Sequence, residues 1–407
     1  MDPSERVRGI YEKHPYPASL GAPSAGLWWQ LAPMEWINSV WQSERPSPRR
    51  ILVAGCGTGL EAFALRRRFP GAEIVAVDFS PRSIAAARDA QEASRRARRI
   101  RFLVADLADR RFASLAGGGF DFVSCHGVLS YIAQPGRALR NLARCLKLHG
   151  AIYLGVNGAG HFSVGARPFL SALGFDMAEL RDGQRLWQAL QLGDAILGRA
   201  GVSLAKRRPG YLASDLFGPL IHDWPLADWI GVCREAGLHL LGSYETLRSL
   251  RPALNSDLYR LLMPRSRAEA CELVEMLAPS GFHRLVLSRR RPLNPPWGEP
   301  ARLLDWRPAI TDFYLHRWPR RKGSWNRLRS LKLKSPSTNT LMVLCSPEWE
   351  VEILRQSDGK RSLRQILGRI RTSVPSESLC ERVYQFYQAM LINLLPPRGA
   401  AGSSVAK

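Results

Sequence analysis

From residue 50 onward, short runs of consecutive apolar residues alternate with longer segments whose apolar positions recur every three to four residues. Residues 50–54 (RILVA) form the first run, closed by a glycine loop and followed by a helical pattern over 60–69. Residues 73–77 predict a second strand and 81–98 a second long helix. Runs at 101–105 and 120–125 (FDFVSC) predict the third and fourth strands. A helix is expected over 135–148 and a fifth strand over 151–156 (AIYLGV). Runs this apolar are buried on both faces, so strands with helices between them predict a parallel sheet covered on each side. The alternation lapses over 160–235, read as a helical insertion over the sheet edge. Runs at 238–242 and 283–288 (HRLVLS), with a helix over 267–277 between them, bring the strands to seven. The expected class is α/β, with a Rossmann-like seven-stranded sheet.

The segments on either side have a different character. Residues 1–48 hold no long periodic stretch but carry Tyr11, His14-Pro15-Tyr16-Pro17, Trp28-Trp29, Trp36 and Trp41, and read as an N-terminal arm or lid. The α/β domain is expected over 49–291. Four prolines in 292–300 (PLNPPWGEP) exclude a regular element and mark a linker. Residues 301–396 form a separate small α+β domain, and 397–407 read as a disordered tail. Within the small domain a helix ends at Asp358-Gly359. Ser362 then caps another, with Gln365 at the capping-box position and Leu363, Ile366, Leu367 and Ile370 as its apolar stripe. Residues 383–395 are expected to continue helically.

Composition narrows the class. The 407 residues are 45% hydrophobic and 23% charged, which excludes wholesale disorder. No apolar run reaches the ~18 residues needed to span a bilayer, so integral membrane association is not expected. The opening MDPSE has neither a basic nor an apolar region of a secretory signal. Seven dispersed cysteines, without CxxC or zinc spacing, read as reduced thiols in a cytoplasm and offer no metal site. Lys plus Arg is 58 against 35 Asp plus Glu, a net +23. That field favours acidic partners, although Arg recurs in every region and a compositional origin fits as well.

The chemistry concentrates at Val53-Ala54-Gly55-Cys56-Gly57-Thr58-Gly59, between a strand and a helix. Glycines let a main chain approach a ligand closely, with backbone N–H groups and the helix N-terminus turned toward it. Leu60 breaks the dinucleotide pattern GxGxxG, and the absence of GK[ST] excludes a nucleotide-triphosphate loop. Asp78 ends the second strand and is placed to accept from both hydroxyls of a ribose; Asp106 ends the third and is placed to accept from an adenine amine. Three such features at successive strand ends lie where open α/β sheets bind ligands.

These residues resemble the class I S-adenosylmethionine-dependent methyltransferases: ILVAGCGTG (51–59), IVAVDFS (74–80), LVADL (103–107) and FDFVSCHGVLSYI (120–132). The resemblance implies S-adenosylmethionine as cofactor, held by Ala54, Gly55, Cys56, Gly57, Gly59, Asp78, Phe79, Asp106, Leu107 and His126. Many members carry an acid two places before the first glycine, where this chain has Val53, so the donor's amino group must find another acceptor. Cys125-His126-Gly127-Val128 resembles a segment of bacterial methyltransferases that bear a regulatory domain. YEKHPYP (11–17) and Tyr211–Leu240 (YLASDLFGPLIHDWPLADWIGVCREAGLHL) are similar to parts of another bacterial group, the latter implying part of an acceptor pocket. Residues 350–370 resemble small winged-helix modules, some of which bind leader peptides.

Methyl transfer needs alignment above all, and a base only when the acceptor must lose a proton. His126, with an ordinary imidazole pKa near ~6.5, is the first candidate base. His14 and Tyr16 are candidates for a lid over the site, an arm packed on the sheet being the alternative. Cys56 and Cys125 read as packing, and His222-Asp223-Trp224 as acceptor-pocket residues. The basic run 317–334 (RWPRRKGSWNRLRSLKLK) interleaves Trp318 and Trp325 with cations, a pattern that suits RNA and equally a solvated strand pair or anionic lipid. The favoured acceptor is a peptide or protein side chain, with a small molecule also open. RNA is the alternative, and a non-catalytic donor-binding scaffold the reading from another class.

Overall fold

The computed structural model describes residues 3–16, 37, 40–41, 47–93, 100–175, 183–197, 214–249, 261–263, 265–311, 331–334, 341–345, 348–370, 375–388 and 390–398. The chain divides into two compact units. One comprises residues 1–32, 47–239 and 279–290, the other 33–46, 240–278 and 291–407.

The first unit is built on β1 (Arg50–Ala54), β2 (Glu73–Asp78), β3 (Ile100–Val104), β4 (Phe120–His126) and β5 (Leu146–Asn157). Later in the chain come β6 (His239–Ser243), which falls in the second unit from Leu240 on, and β7 (Phe282–Ser288). The seven-stranded order is β3-β2-β1-β4-β5-β7-β6. The first five strands are parallel, and the order reverses between β1 and β4, the switch point where such sheets bind ligands. β7 runs antiparallel to β5, from Ala151↔Ser288 to Asn157↔Phe282, so the sheet is mixed rather than all parallel. The ladder continues beyond β5 through Gly158 N–H to Gly281 O at 3.2 Å and Gly160 N–H to Ser280 O at 3.0 Å. Side-chain pattern does not encode strand direction, which explains why periodicity missed it.

The helix expected to reach 148 is Pro135–Cys145, and Leu146 already begins β5. Leu146 is buried and pairs with Phe120, and this tertiary pairing overrides a helical pattern that was locally plausible. The helix expected over 81–98 is described over Pro81–Ala93, residues 94–99 lying outside the described residues. In the insertion, Phe162–Ala172 and Gly183–Leu197 are helical. Ala166, Leu170, Ala189, Leu190, Leu216 and Phe217 form its own small core.

In the second unit, β8 (Arg307–Ile310) pairs antiparallel with β11 (Ile392–Leu395), and β9 (Leu331–Lys334) with β10 (Leu341–Cys345). Three helices, Glu348–Gln356, Leu363–Ile370 and Ser376–Gln388, accompany them. Ser362 and Gln365 exchange the expected capping-box bonds at 3.0 and 3.3 Å. The apolar run near 392 is a strand, not a continued helix. Met390 turns the chain at φ 60°, and β8, far upstream in sequence, claims the segment. Most of the basic run 317–334, the Trp28-Trp29 and Trp36 positions, and the tail from 399 lie outside the described residues.

Candidate active site

β1 delivers the chain into the glycine loop. Gly55, Gly57 and Gly59 all have positive φ, at 74°, 52° and 92°. A Cβ at Gly55 would lie 2.2 Å from a Val128 methyl carbon, and one at Gly59 2.9 Å from the Phe63 ring and 3.2 Å from Ala87 Cβ. Gly55 thus lets the loop after β1 meet the loop after β4, and Gly59 lets the following helix settle on the sheet. The loop amides expected to face a ligand are bonded within the protein. Gly55 and Cys56 N–H donate to Val77 O at 2.7 and 2.9 Å, Thr58 N–H to Tyr16 O at 3.1 Å, and Gly59 N–H to Cys56 O at 2.9 Å. What the loop offers is a close main-chain approach at Gly55 and Gly57 rather than a set of free donors.

Asp78 is buried at the end of β2. Its Oδ2 accepts from Gly57 N–H at 2.8 Å and its Oδ1 from Ser80 N–H at 3.0 Å. Burial raises its pKa, and these backbone donors hold the rise in check. Asp106 is exposed, and its Oδ1 accepts from Ala108 N–H at 2.8 Å. The N-terminal helix Pro3–Lys13 docks beside them. Ser80 Oγ donates to Glu12 Oε1 at 2.6 Å, Arg82 Nη1 donates to Glu12 O at 2.8 Å, and the Tyr11 and Phe79 rings meet edge-on at 5.9 Å.

These elements enclose a cavity of about 950 Å³, near the upper end of the ~300–1,000 Å³ range of ligand pockets. It gathers Gly55, Cys56, Gly57, Asp78, Phe79, Asp106, Leu107 and His126 from the expected set, and also Tyr16. Ala54, Gly59 and His14 do not line it. The first two act behind the wall as backbone and packing, and of the arm it is Tyr16, 52% exposed, together with Tyr11 and Val7 that reaches the cavity. His222, Asp223 and Trp224 also stand back from the surface.

The imidazole of His126 departs from the ordinary value that made it a candidate base. It is enclosed between Phe282 and Tyr153, whose ring stacks on it and whose hydroxyl lies 3.0 Å from Nδ1. Burial, aided by the charge of Arg284, pushes its pKa down to about 3. The ring is neutral at pH 7 and weakly basic. Burial likewise raises the Cys56 and Cys125 thiols, so neither is a thiolate at neutral pH.

Further lining residues come from four distant segments; the sequence placed the one from Tyr211, with Ser214 and Asp215, in an acceptor pocket and missed Tyr131, Asn157 and His161. The Tyr131 hydroxyl donates to Asp215 Oδ1, and Ser214 Oγ donates to Asp215 Oδ2 at 2.6 Å. Asn157, at the end of β5, donates from Nδ2 to Asp223 Oδ1 at 2.9 Å and to the Tyr131 hydroxyl at 3.3 Å. Asp223 also accepts from Ser163 Oγ, and His161 Nδ1 lies 3.5 Å from its Oδ1. Tyr131, Asn157, His161, Ser214 and Asp215 line the cavity, and Asp223 ties them together from behind. Glu61 was missed too. It lines the cavity from the first turn of the helix Leu60–Arg68, 8% exposed. Its signal was legible as an acid on the apolar side of a helix that opens from the glycine loop.

A family model described as a methyltransferase domain matches residues 52–152, the segment that holds the glycine loop, Asp78, Asp106 and His126. The chain carries a class I S-adenosylmethionine-dependent methyltransferase domain. An uncharacterised protein of Synechococcus sp. is 27% identical to this methyltransferase over 337 residues, 78% of this chain and 79% of that protein. The cypemycin N-terminal methyltransferase of Streptomyces sp. is 34% identical over 158 residues, which are 38% of this chain and 56% of that enzyme. The solved structure of PKMT2 from Rickettsia typhi in complex with AdoHcy covers 89% of this chain and 75% of its own at TM-score 0.54. At 13% identity that likeness shows the fold alone.

The donor of the methyltransferase is S-adenosylmethionine, and the cavity's chemistry fits it. A buried carboxylate stands at the end of β2, an exposed one follows β3, and a glycine-rich loop lies between β1 and its helix. Among the described residues no helix is long and apolar enough to cross a membrane, and no group of His, Cys, Asp and Glu is placed to hold a metal ion.

Proposed function

We propose that this methyltransferase modifies a peptide or protein group presented to the Asp215 wall of the cavity. S-adenosylmethionine, when bound, supplies a methyl group already activated by a sulfonium. The protein's task is therefore to align the acceptor and exclude water. Gly55, Gly57, Asp78, Phe79, Asp106 and Leu107 hold the donor on one side, and Tyr131, Asn157, His161 and Asp215 face the acceptor on the other. The observation that carries this reading is the Asp215 carboxylate, bonded to Tyr131 and Ser214 in a cavity that Tyr11, Tyr16, Phe162 and Phe282 also line. A carboxylate there attracts a cationic amine and lies within reach to take its proton. His126, neutral and weakly basic, is assigned the wall beside the methyl rather than the base. Tyr16 closes the rim as part of the arm, tied to the glycine loop through its carbonyl.

The likeness to an enzyme named for a peptide N-terminus supports a peptide acceptor. So do the three helices and antiparallel pair of the second unit, which we read as a winged-helix-like module that recognises the acceptor. Cys56, Cys125, Cys145, Cys233 and Cys271 are buried and form no disulfide, in keeping with a reducing compartment. The test is transfer of a labelled methyl group to host lysate, fractionated into protein, RNA and small molecules. Label in the protein and peptide fraction is expected. Label confined to RNA would move the assignment to the basic run, and label in no fraction would favour a donor-binding scaffold.

A further inference from the structure

Four carboxylates line the cavity, and three are already engaged in ways that explain them. Asp78 holds the amides of Gly57 and Ser80, Asp106 stands in solvent and caps Ala108, and Asp215 receives the hydroxyls of Tyr131 and Ser214. Glu61 is the exception. It is 8% exposed, its carboxylate accepts from the Ser124 hydroxyl, and among the described residues no ion pair reaches it. A buried carboxyl without a counter-charge is costly when ionised, and here burial pushes its pKa up to about 7. Cys56 and Cys125, the other titratable groups that feel its charge, are held neutral by burial.

Its position decides what it can serve. Ser124 on β4 is the register partner of Val53 on β1, so the two side chains stand side by side on one face of the sheet, both fully buried. The Glu61 carboxyl therefore reaches, from the helix above, the level of the sheet where β1 itself offers only a valine. That level is two residues before the glycine loop, at the donor end of the cavity.

We infer that Glu61 is the counter-ion for the α-ammonium of the bound donor, replacing a carboxylate that β1 does not provide. The assignment rests on the donor lying against the 55–59 loop. Of the donor's two cations, the ammonium has N–H groups from which a carboxylate can accept and the sulfonium has none, so the ammonium suits an acid that no base reaches among the described residues. The ammonium would draw Glu61 into its ionised form, so donor binding at neutral pH is coupled to proton release.

The experiment is isothermal titration of wild-type protein and Glu61→Gln with two ligands. One is AdoHcy. The other is 5′-methylthioadenosine, which keeps the nucleoside and sulfur but lacks the amino-acid end. The substitution should weaken AdoHcy by about tenfold to a hundredfold, as for loss of a charge-assisted hydrogen bond, and leave methylthioadenosine within about twofold. In buffers of different ionisation enthalpy, AdoHcy binding to wild type at pH 7 should release about half a proton, as follows from a pKa of about 7. Methylthioadenosine should release none. Equal AdoHcy affinity of the two proteins, or tighter binding by the variant, overturns the assignment. If the variant loses both ligands, the wild-type proton count decides, and no release overturns it. Failure of wild type to bind AdoHcy would instead overturn the placement of the donor itself.

Discussion

Asp78 and Gly57 are joined by a hydrogen bond of 2.8 Å, from the loop amide to the carboxylate at the end of the next strand. One side chain thus shapes the glycine loop, and on the proposed reading it also presents a buried acceptor to a ribose. Replacing Asp78 by Ala removes both. AdoHcy affinity should fall tenfold or more, in line with the about 1.5–3 kcal/mol of a hydrogen bond to a charged group. Asp78→Asn, which retains an acceptor for Gly57, should lose less. Titration calorimetry on variants with native circular dichroism checks this, and unchanged affinity in Asp78→Ala would remove the nucleoside from this strand end.

Gly55 is constrained twice, by φ 74° and by a Cβ position 2.2 Å from Val128. Gly55→Ala should cost about 1–3 kcal/mol in urea unfolding, from the left-handed backbone and from overpacking. Adding Val128→Ala relieves only the overpacking. The double variant should recover part of the loss, with the backbone share remaining. Full recovery would show that the backbone is not strained there.

The stability of the protein without donor should carry opposing pH signatures from Glu61 and His126. Glu61 is raised from 4.5 to about 7, so its contribution is fully present below pH 4.5 and is lost as pH rises to 7. His126 is lowered from 6.5 to about 3, so its contribution is present above pH 6.5 and is lost as pH falls toward 3. The two oppose each other between pH 4.5 and 6.5. The difference between wild type and Glu61→Gln isolates the first. From pH 4.5 to 7.5 it should move by about 3 kcal/mol in favour of the variant. A flat difference in urea unfolding would mean that Glu61 ionises normally.

Asp215→Asn should separate binding from turnover. On the reading that Asp215 serves the acceptor and not the donor, AdoHcy affinity should stay within about twofold. The rate of methyl transfer should drop by about 10²–10⁴-fold if the carboxylate takes the acceptor's proton. An equal loss in donor affinity would place Asp215 on the donor side instead.

Strand positions over 50–126 were legible because each is a compact apolar run between turn residues, and such runs read the same in any tertiary context. The glycine-loop part of the cavity lining was legible for a related reason. Gly55, Gly57, Asp78 and Asp106 follow directly from strand ends, and in a doubly wound sheet a strand end is already an address. The helix overrun at 146 and the misread strand at 392 have the opposite cause. Leu146 and Ile392 take strand geometry because Phe120 and Ile310 pair with them, and nothing within a few residues announces either partner.

Local pattern alone therefore determined the class of this protein, its glycine loop and the carboxylates that follow its second and third strands, because those depend on periodicity and spacing within short segments. Only the tertiary structure decided the antiparallel β7, the neutral His126, the Asp215 wall and the isolated acid of Glu61. Each depends on what surrounds a residue rather than on what precedes it: an imidazole loses its charge by enclosure between Tyr153 and Phe282, and a carboxyl is held protonated more readily by burial beside Ser124 with no cation paired to it among the described residues.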